Sequence, residues 1–100
     1  MNIAIIGAGN VGGALGRSWA RAGHKIFYAV RDPQAEKVKN LLGETGHSAT
    51  ATNAVDAAQA ADLVALATPW DSVPAALVSA GNLAGKIVID CTNPLKFTPG

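Results

Sequence analysis

The sequence contains one cysteine, Cys91, so no intrachain disulfide can form and no cluster of thiolates can hold a metal. That scarcity fits a reducing cytosol, and a cytoplasmic location is expected. Long apolar runs are also missing. None approaches the roughly 18 residues of a membrane span, and no basic stretch precedes the apolar residues of the N-terminus. The expectation is a soluble, unexported protein with no membrane partner. Charge is sparse and balanced, with eight basic against seven acidic residues and no run of one sign, which offers no footing for a nucleic acid. Only 5% of residues are aromatic while 49% are hydrophobic. The core must therefore be built from Ala, Val, Ile and Leu, which suits helices packed closely on a sheet. No internal repeat is present, although Ala51 to Ala61 is rich in alanine. One hundred residues imply one domain, residues 1–100, able to bury roughly two thirds of the surface its unfolded form exposes.

Against these absences stands one informative stretch, Ile3-Ala4-Ile5-Ile6-Gly7-Ala8-Gly9-Asn10-Val11-Gly12. A short apolar run breaks into glycines, and an amphipathic segment opens directly behind them. Gly7, Gly9 and Gly12 have the G-x-G-x-x-G spacing of a dinucleotide-binding turn between a buried strand and a helix. Gly7 lets the chain turn out of the strand, Gly9 removes the side chain where a pyrophosphate must approach the backbone, and Gly12 lets the helix lie close to the sheet. An anion there meets free N–H groups and the positive end of a helix dipole. With glycine at 11 of 100 residues, the spacing alone is weak; its place between a strand-like and a helix-like run gives it weight.

The rest of the chain reads as support for this turn. Val11, Leu15, Trp19 and Ala22 recur at helical spacing across residues 10–22, which predicts the first helix, stopped at Gly23. Lys25 leads into Ile26-Phe27-Tyr28-Ala29-Val30, a second strand that a right-handed crossover lays parallel beside the first. Arg31-Asp32-Pro33 follows. In such domains an acidic side chain at this point bonds the 2′-hydroxyl of NAD, whereas arginine accommodates the 2′-phosphate of NADP. The strand tip Ala29-Val30 has no carboxylate and Arg31 comes next, which favours NADP. Slippage by one residue would make Asp32 a ribose ligand instead. The competing reading of Asp32 is an N-cap, with Pro33 at the first position of a helix running through about Leu42.

Gly43 to Gly46 closes that helix, and His47 to Thr52 predicts a weak, short strand. His24 and His47 flank glycine turns and read as exposed loop residues. Asn53 with Asp56 predicts an N-cap for a helix through Ala60. Asp62 to Ala67 is a fourth strand, apolar enough to be central and covered on both faces. Thr68-Pro69-Trp70 follows it, and Asp71 or Ser72 starts a helix through about Ala80. Lys86 to Asp90 is a fifth strand, after which come Cys91-Thr92-Asn93-Pro94-Leu95. Strands alternating with helices define a doubly wound α/β parallel sheet of the Rossmann type, five strands in the order 3-2-1-4-5. Its ligands bind beyond the carboxyl ends of the strands. The glycine turn and Arg31 therefore face the pyrophosphate and adenosine ribose, and Thr68-Pro69-Trp70 and Thr92-Asn93-Pro94 the nicotinamide half. Trp70 either shields the nicotinamide region from water or packs on the helix that follows it. Cys91 reads as a small buried hydrophobe rather than a nucleophile.

Three stretches together resemble a known family. Ile3 to Gly16 (IAIIGAGNVGGALG), Ala67 to Val73 (ATPWDSV) and Gly85 to Leu95 (GKIVIDCTNPL) are similar to the N-terminal domain of oxidoreductases related to NADPH:deazaflavin (F-420) oxidoreductase. The resemblance spans essentially the whole chain. It also extends to the cytosolic part of membrane-bound metalloreductases. It implies that Gly7, Ala8, Gly9, Asn10, Val11 and Gly12 hold the nucleotide. It further implies that Ala67, Thr68, Pro69 and Trp70 line the cofactor, and that Asn93 and Pro94 frame the nicotinamide. The family's Ser-Arg pair for the 2′-phosphate reads Val30-Arg31 here: the arginine is kept and the serine hydroxyl is absent, a loss on the order of 1 kcal/mol. Family members continue well beyond this length, and their second half supplies much of the acceptor pocket and the dimer contact.

These readings make the leading expectation an NADP-dependent oxidoreductase domain that presents NADPH for hydride transfer to a flavin-like, deazaflavin or other small-molecule redox acceptor. No Lys, His or Tyr stands out as an acid or base, so no catalytic residue is assigned, and no metal site is expected. A homodimer or a partner chain would complete the acceptor pocket. Two alternatives remain open. One is a non-catalytic NADP-binding module or redox sensor, and the other the cofactor domain of a small hydroxy acid dehydrogenase whose catalytic lysine lies beyond residue 100.

Overall fold

The computed structural model describes residues 1–7, 10–32, 34–46, 49–67, 81, 83 and 85–90. The elements are β1 (Asn2–Ile6), α1 (Asn10–Arg21), β2 (Lys25–Ala29), α2 (Glu36–Thr45), β3 (Thr50–Thr52), α3 (Ala54–Ala60), β4 (Leu63–Leu66) and β5 (Ile87–Asp90). The five strands form one sheet in the order β3-β2-β1-β4-β5, and every neighbouring pair is parallel. This is the doubly wound order expected from the alternation of apolar runs and helical segments. Because the chain moves outward from β1 to β3 on one side and then crosses to β4 on the other, the order reverses at β1. Such a sheet leaves a crevice at that point.

Residues one apart along β1 point to opposite faces, and the two faces bury different partners. Ala4 and Ile6 join Ala29, Val64 and Leu66 of the sheet with Ala57 and Ala58 of α3. Ile3 and Ile5 join Ile26 and Tyr28 with Ala20 of α1 and Leu41 of α2. The alanine-rich segment around α3 is therefore a packing surface: with methyl groups at 57, 58 and 61, the helix lies close on the strands. In β4, Val64, Ala65 and Leu66 are all buried, as a central strand covered on both faces requires. β5 is the outer strand on its side, and Ile87, Val88 and Ile89 keep 56%, 42% and 38% of their surface exposed.

Several boundaries differ from the sequence reading. α2 begins at Glu36 and ends at Thr45, three residues later than expected at its C-terminus. Asp32 is not its N-cap; Ala35 holds that position without a side-chain cap, and the Asp32 carboxylate instead accepts from the Gln34 N–H at 3.0 Å. Gly43 lies inside the helix, which stops at Gly46, where φ is +62° and the N–H returns to the Leu42 carbonyl. Lys86 precedes β5 because its N–H closes a turn to the Leu83 carbonyl at 3.1 Å, while its ammonium donates to the carbonyl of Ala61 at 2.7 Å, at the C-terminal end of α3. His24 is half-buried rather than exposed, with Nδ1 3.0 Å from the N-terminal amine. The Asn53 cap is present as expected: its Oδ1 accepts from the Asp56 N–H at 2.8 Å. The helix expected after Ser72, together with His47 and Cys91, lies outside the described residues. No helix among the described residues is long and apolar enough to cross a membrane.

Candidate functional site

A parallel sheet puts all its carboxyl ends on one edge, so Gly7 after β1, Val30 and Arg31 after β2, and Ala67 after β4 share it. Two backbone bonds extend the strand ladders to this edge. The Ala67 N–H donates to the Ile6 carbonyl at 2.8 Å, and the Val30 N–H donates to the Thr52 carbonyl at 2.9 Å. Residues 30 and 67 are thus held beside their neighbouring strands, and both are half-buried and pack against the cluster around Tyr28.

The turn behind β1 depends on two glycines for different reasons. Gly7 has φ +109°, a conformation that side chains disfavour, and it releases the chain from the strand. Gly12 is buried in α1, and a side-chain carbon placed on it would overlap the Gly7 carbonyl oxygen and approach Ile5 Cγ2 to 3.3 Å. The missing side chain is what brings the start of α1 down onto the end of β1. Asn10 opens that helix and Val11 follows it, so the N–H groups of its first turn, which have no intrahelical partner, are delivered to the rim. A helix N-terminus brought against the end of β1, with no acidic residue in its first turn, suits an anion such as a pyrophosphate.

The end of β2 supplies the second part. Ala29 and Val30 bring no carboxylate, and Arg31 is exposed and makes no ion pair or hydrogen bond among the described residues. Asp32, also exposed, is engaged by the backbone turn to Gln34. Val30, which offers no hydroxyl, is half-buried and packs against the cluster around Tyr28. Arg17 belongs elsewhere: it pairs with Glu44 at 3.4 Å across α1 and α2.

Ala8, Gly9, Thr68, Pro69, Trp70, Asn93 and Pro94 lie outside the described residues. Those described, Gly7, Asn10, Val11, Gly12, Val30, Arg31 and Ala67, all fall at or beside the carboxyl edge. Sequence reasoning missed Gly16, Tyr28 and Thr45. Tyr28 is fully buried, and a side-chain carbon at Gly16 would overlap its phenol oxygen. The Thr45 hydroxyl donates to the Leu41 carbonyl at 2.8 Å, so the 2.8 Å contact between Tyr28 Oη and Thr45 Oγ1 has the phenol as donor. Burial raises the Tyr28 pKa above its ordinary value. The four-residue spacing of Gly12 and Gly16 along one helix face was the available signal. Among the described residues no group of His, Cys, Asp and Glu could hold a metal ion.

Residues 2–94 match the profile of the family described as coenzyme F420-dependent NADP oxidoreductase. A candidate F420-dependent NADP reductase from Arthrobacter sp. FB24 is 39% identical, with a TM-score of 0.84 over 94% of this chain and 46% of its own. A reductive aminase from Aspergillus terreus, solved with NADPH4, cyclohexanone and allyl amine, is 25% identical, with a TM-score of 0.73 over 92% of this chain and 32% of its own. Arogenate dehydrogenase from Synechocystis, 22% identical with a TM-score of 0.76 over 90% of this chain and 32% of its own, shares the fold. The chain thus spans less than half the length of each of these proteins. Curated proteins contain no match.

Proposed function

The chain belongs to the coenzyme F420-dependent NADP oxidoreductase family, and from that premise we propose that it binds NADPH along the carboxyl edge and presents the nicotinamide to a redox acceptor. Gly7, Ala8, Gly9, Asn10, Val11 and Gly12 take the pyrophosphate, with the first turn of α1 supplying N–H donors. Arg31 takes the 2′-phosphate, beside Val30. Ala67, Thr68, Pro69, Trp70, Asn93 and Pro94 take the nicotinamide half. The observation that carries this reading is the end of β2, where an exposed guanidinium follows a strand tip without a carboxylate.

Bound NADPH would supply a hydride to a deazaflavin, a flavin or another small acceptor, which would take one proton from solvent, and the oxidised cofactor would leave as NADP⁺. The chain's own residues act by holding and orienting the cofactor. The test is a pair of titrations with NADPH and NADH, followed by NADPH oxidation with a panel of deazaflavin, flavin and carbonyl acceptors. NADPH is expected to bind at least about tenfold more tightly, a difference within reach of one charge-assisted contact. Equal weak binding of both cofactors would overturn the 2′-phosphate assignment.

A second reading is supported by length, since the chain spans 46% of the Arthrobacter protein. In this version it is the nucleotide-binding half of an enzyme whose acceptor pocket comes from further chain or from a partner. NADPH binding without acceptor-stimulated oxidation would favour it.

A further inference from the structure

We propose that Asp32 is a positioning residue for Arg31, selecting for a 2′-phosphate by holding a turn, and that it is not a ribose ligand. The inference rests on the reading of Arg31 given above.

Arg31 lies between two anchored neighbours. On one side the Val30 N–H is tied to the Thr52 carbonyl at 2.9 Å. On the other, Asp32 closes the chain twice, with Oδ1 accepting from the Gln34 N–H at 3.0 Å and its carbonyl accepting from the Ala35 N–H at 3.1 Å. The side-chain bond, from residue i to the N–H of i+2, is an Asx turn. It holds the link between β2 and α2 where the helix itself offers no cap, because Ala35 at the N-cap makes no side-chain bond.

Two consequences follow for a phosphate dianion at Arg31. The backbone at 31 is ordered before the ligand arrives, so binding need immobilise only the side chain. The neighbouring carboxylate has one oxygen engaged by the backbone, and no ion pair joins it to Arg31 among the described residues. The guanidinium is therefore left for the ligand. This role needs an acceptor oxygen at position 32 and does not need its negative charge. Asparagine supplies that oxygen and alanine does not.

The experiment titrates the full chain and its Asp32→Asn, Asp32→Ala and Arg31→Ala variants with adenosine 2′,5′-bisphosphate and with 5′-AMP. Affinity for 5′-AMP reports that each variant is folded, and the ratio of the two affinities reports 2′-phosphate selection. Asp32→Asn is expected to keep or raise the wild-type ratio, having lost a charge that repels the ligand. Asp32→Ala is expected to lower it about fivefold, the worth of one side-chain hydrogen bond, with 5′-AMP affinity unchanged. An unchanged ratio in Asp32→Ala, an equal fall in both Asp32 variants, or a fall in 5′-AMP affinity in Asp32→Asn overturns the inference. Absence of any 2′-phosphate preference in the wild type, unaltered by Arg31→Ala, overturns the reading of Arg31 itself and is a distinct result.

Discussion

Gly16 of α1 lies against the phenol oxygen of Tyr28 in β2, so closely that a side-chain carbon at position 16 would occupy the same space. The phenol in turn donates to Thr45 of α2. One side chain thus sets the distance from the sheet to both helices on its face. Neither member of the pair has room to yield, since Tyr28 is fully buried and its oxygen is held by Thr45. Gly16→Ala is expected to lose about 1–3 kcal/mol of stability through overpacking, measured by urea denaturation. A change below about 0.5 kcal/mol would contradict the close approach.

The same burial gives a pH dependence. Tyr28 has a folded-state pKa above the ordinary tyrosine value because burial disfavours the phenolate. The unfolded chain therefore releases the Tyr28 proton first as pH rises, and the folded state loses stability from about pH 10 upward, toward the folded pKa. Below that pH both states hold the proton and this group adds no slope. Because the protein contains one tyrosine, tyrosinate absorbance reports it alone. Absorbance should appear at higher pH in the native protein than in urea. Tyr28→Phe should flatten the alkaline limb of the stability profile while costing about 0.5–1.5 kcal/mol near neutrality for the lost hydrogen bond.

Much of this architecture is legible in the residues because short-range rules decide it. The run Ile3 to Ile6 is too apolar to be anything but a buried strand before glycines, and Asn53 with Asp56 is a cap in sequence and in structure. The carboxyl edge follows from parallel order, which places Gly7, Arg31 and Ala67 together without any contact between them being known. Tertiary competition was not legible. Asp32 followed by Pro33 has the local form of a helix start, yet its carboxylate closes a turn to Gln34 and the helix waits until Glu36. Gly43 resembles a helix stop but is carried through because α2 extends to Thr45, whose hydroxyl meets Tyr28. A partner seventeen residues away in sequence leaves no local pattern.

The cap of α3 is open to direct measurement. Asn53 accepts from the Asp56 N–H at 2.8 Å, and its amide donates to the Asp56 carboxylate at 3.0 Å. The helix is seven residues long, too short to hold together by its own propagation, and its buried alanines depend on its position. Asn53→Ala is expected to cost about 1 kcal/mol, with Asn53→Ser retaining most of the stability because serine can also accept from the backbone. Thermal melts of the two variants check this, and equal losses in both would indicate that the cap bond is not what matters at this position.

Gly12 carries the most direct test of the proposed cofactor turn, because the atom that a side chain there would meet is the carbonyl oxygen of Gly7. A backbone atom cannot swing aside as a flexible side chain can, so in Gly12→Ala the start of α1 must move away from the end of β1. On the proposed reading, the N–H donors of the first turn then retreat from a bound pyrophosphate, and the contacts that depend on their placement weaken together. Gly43 provides the control. It also lies within a helix, but a side-chain carbon there meets nothing within 4 Å, so Gly43→Ala should stabilise α2 by about 0.5–1 kcal/mol through backbone entropy alone. Gly12→Ala is expected to weaken NADPH binding by at least about tenfold, equivalent to roughly 1.4 kcal/mol, and to lower the melting temperature. Gly43→Ala should bind as the wild type does and melt higher. If Gly12→Ala binds NADPH with wild-type affinity, the approach of α1 to β1 is not what forms the anion site, and the cofactor must be held elsewhere on the edge.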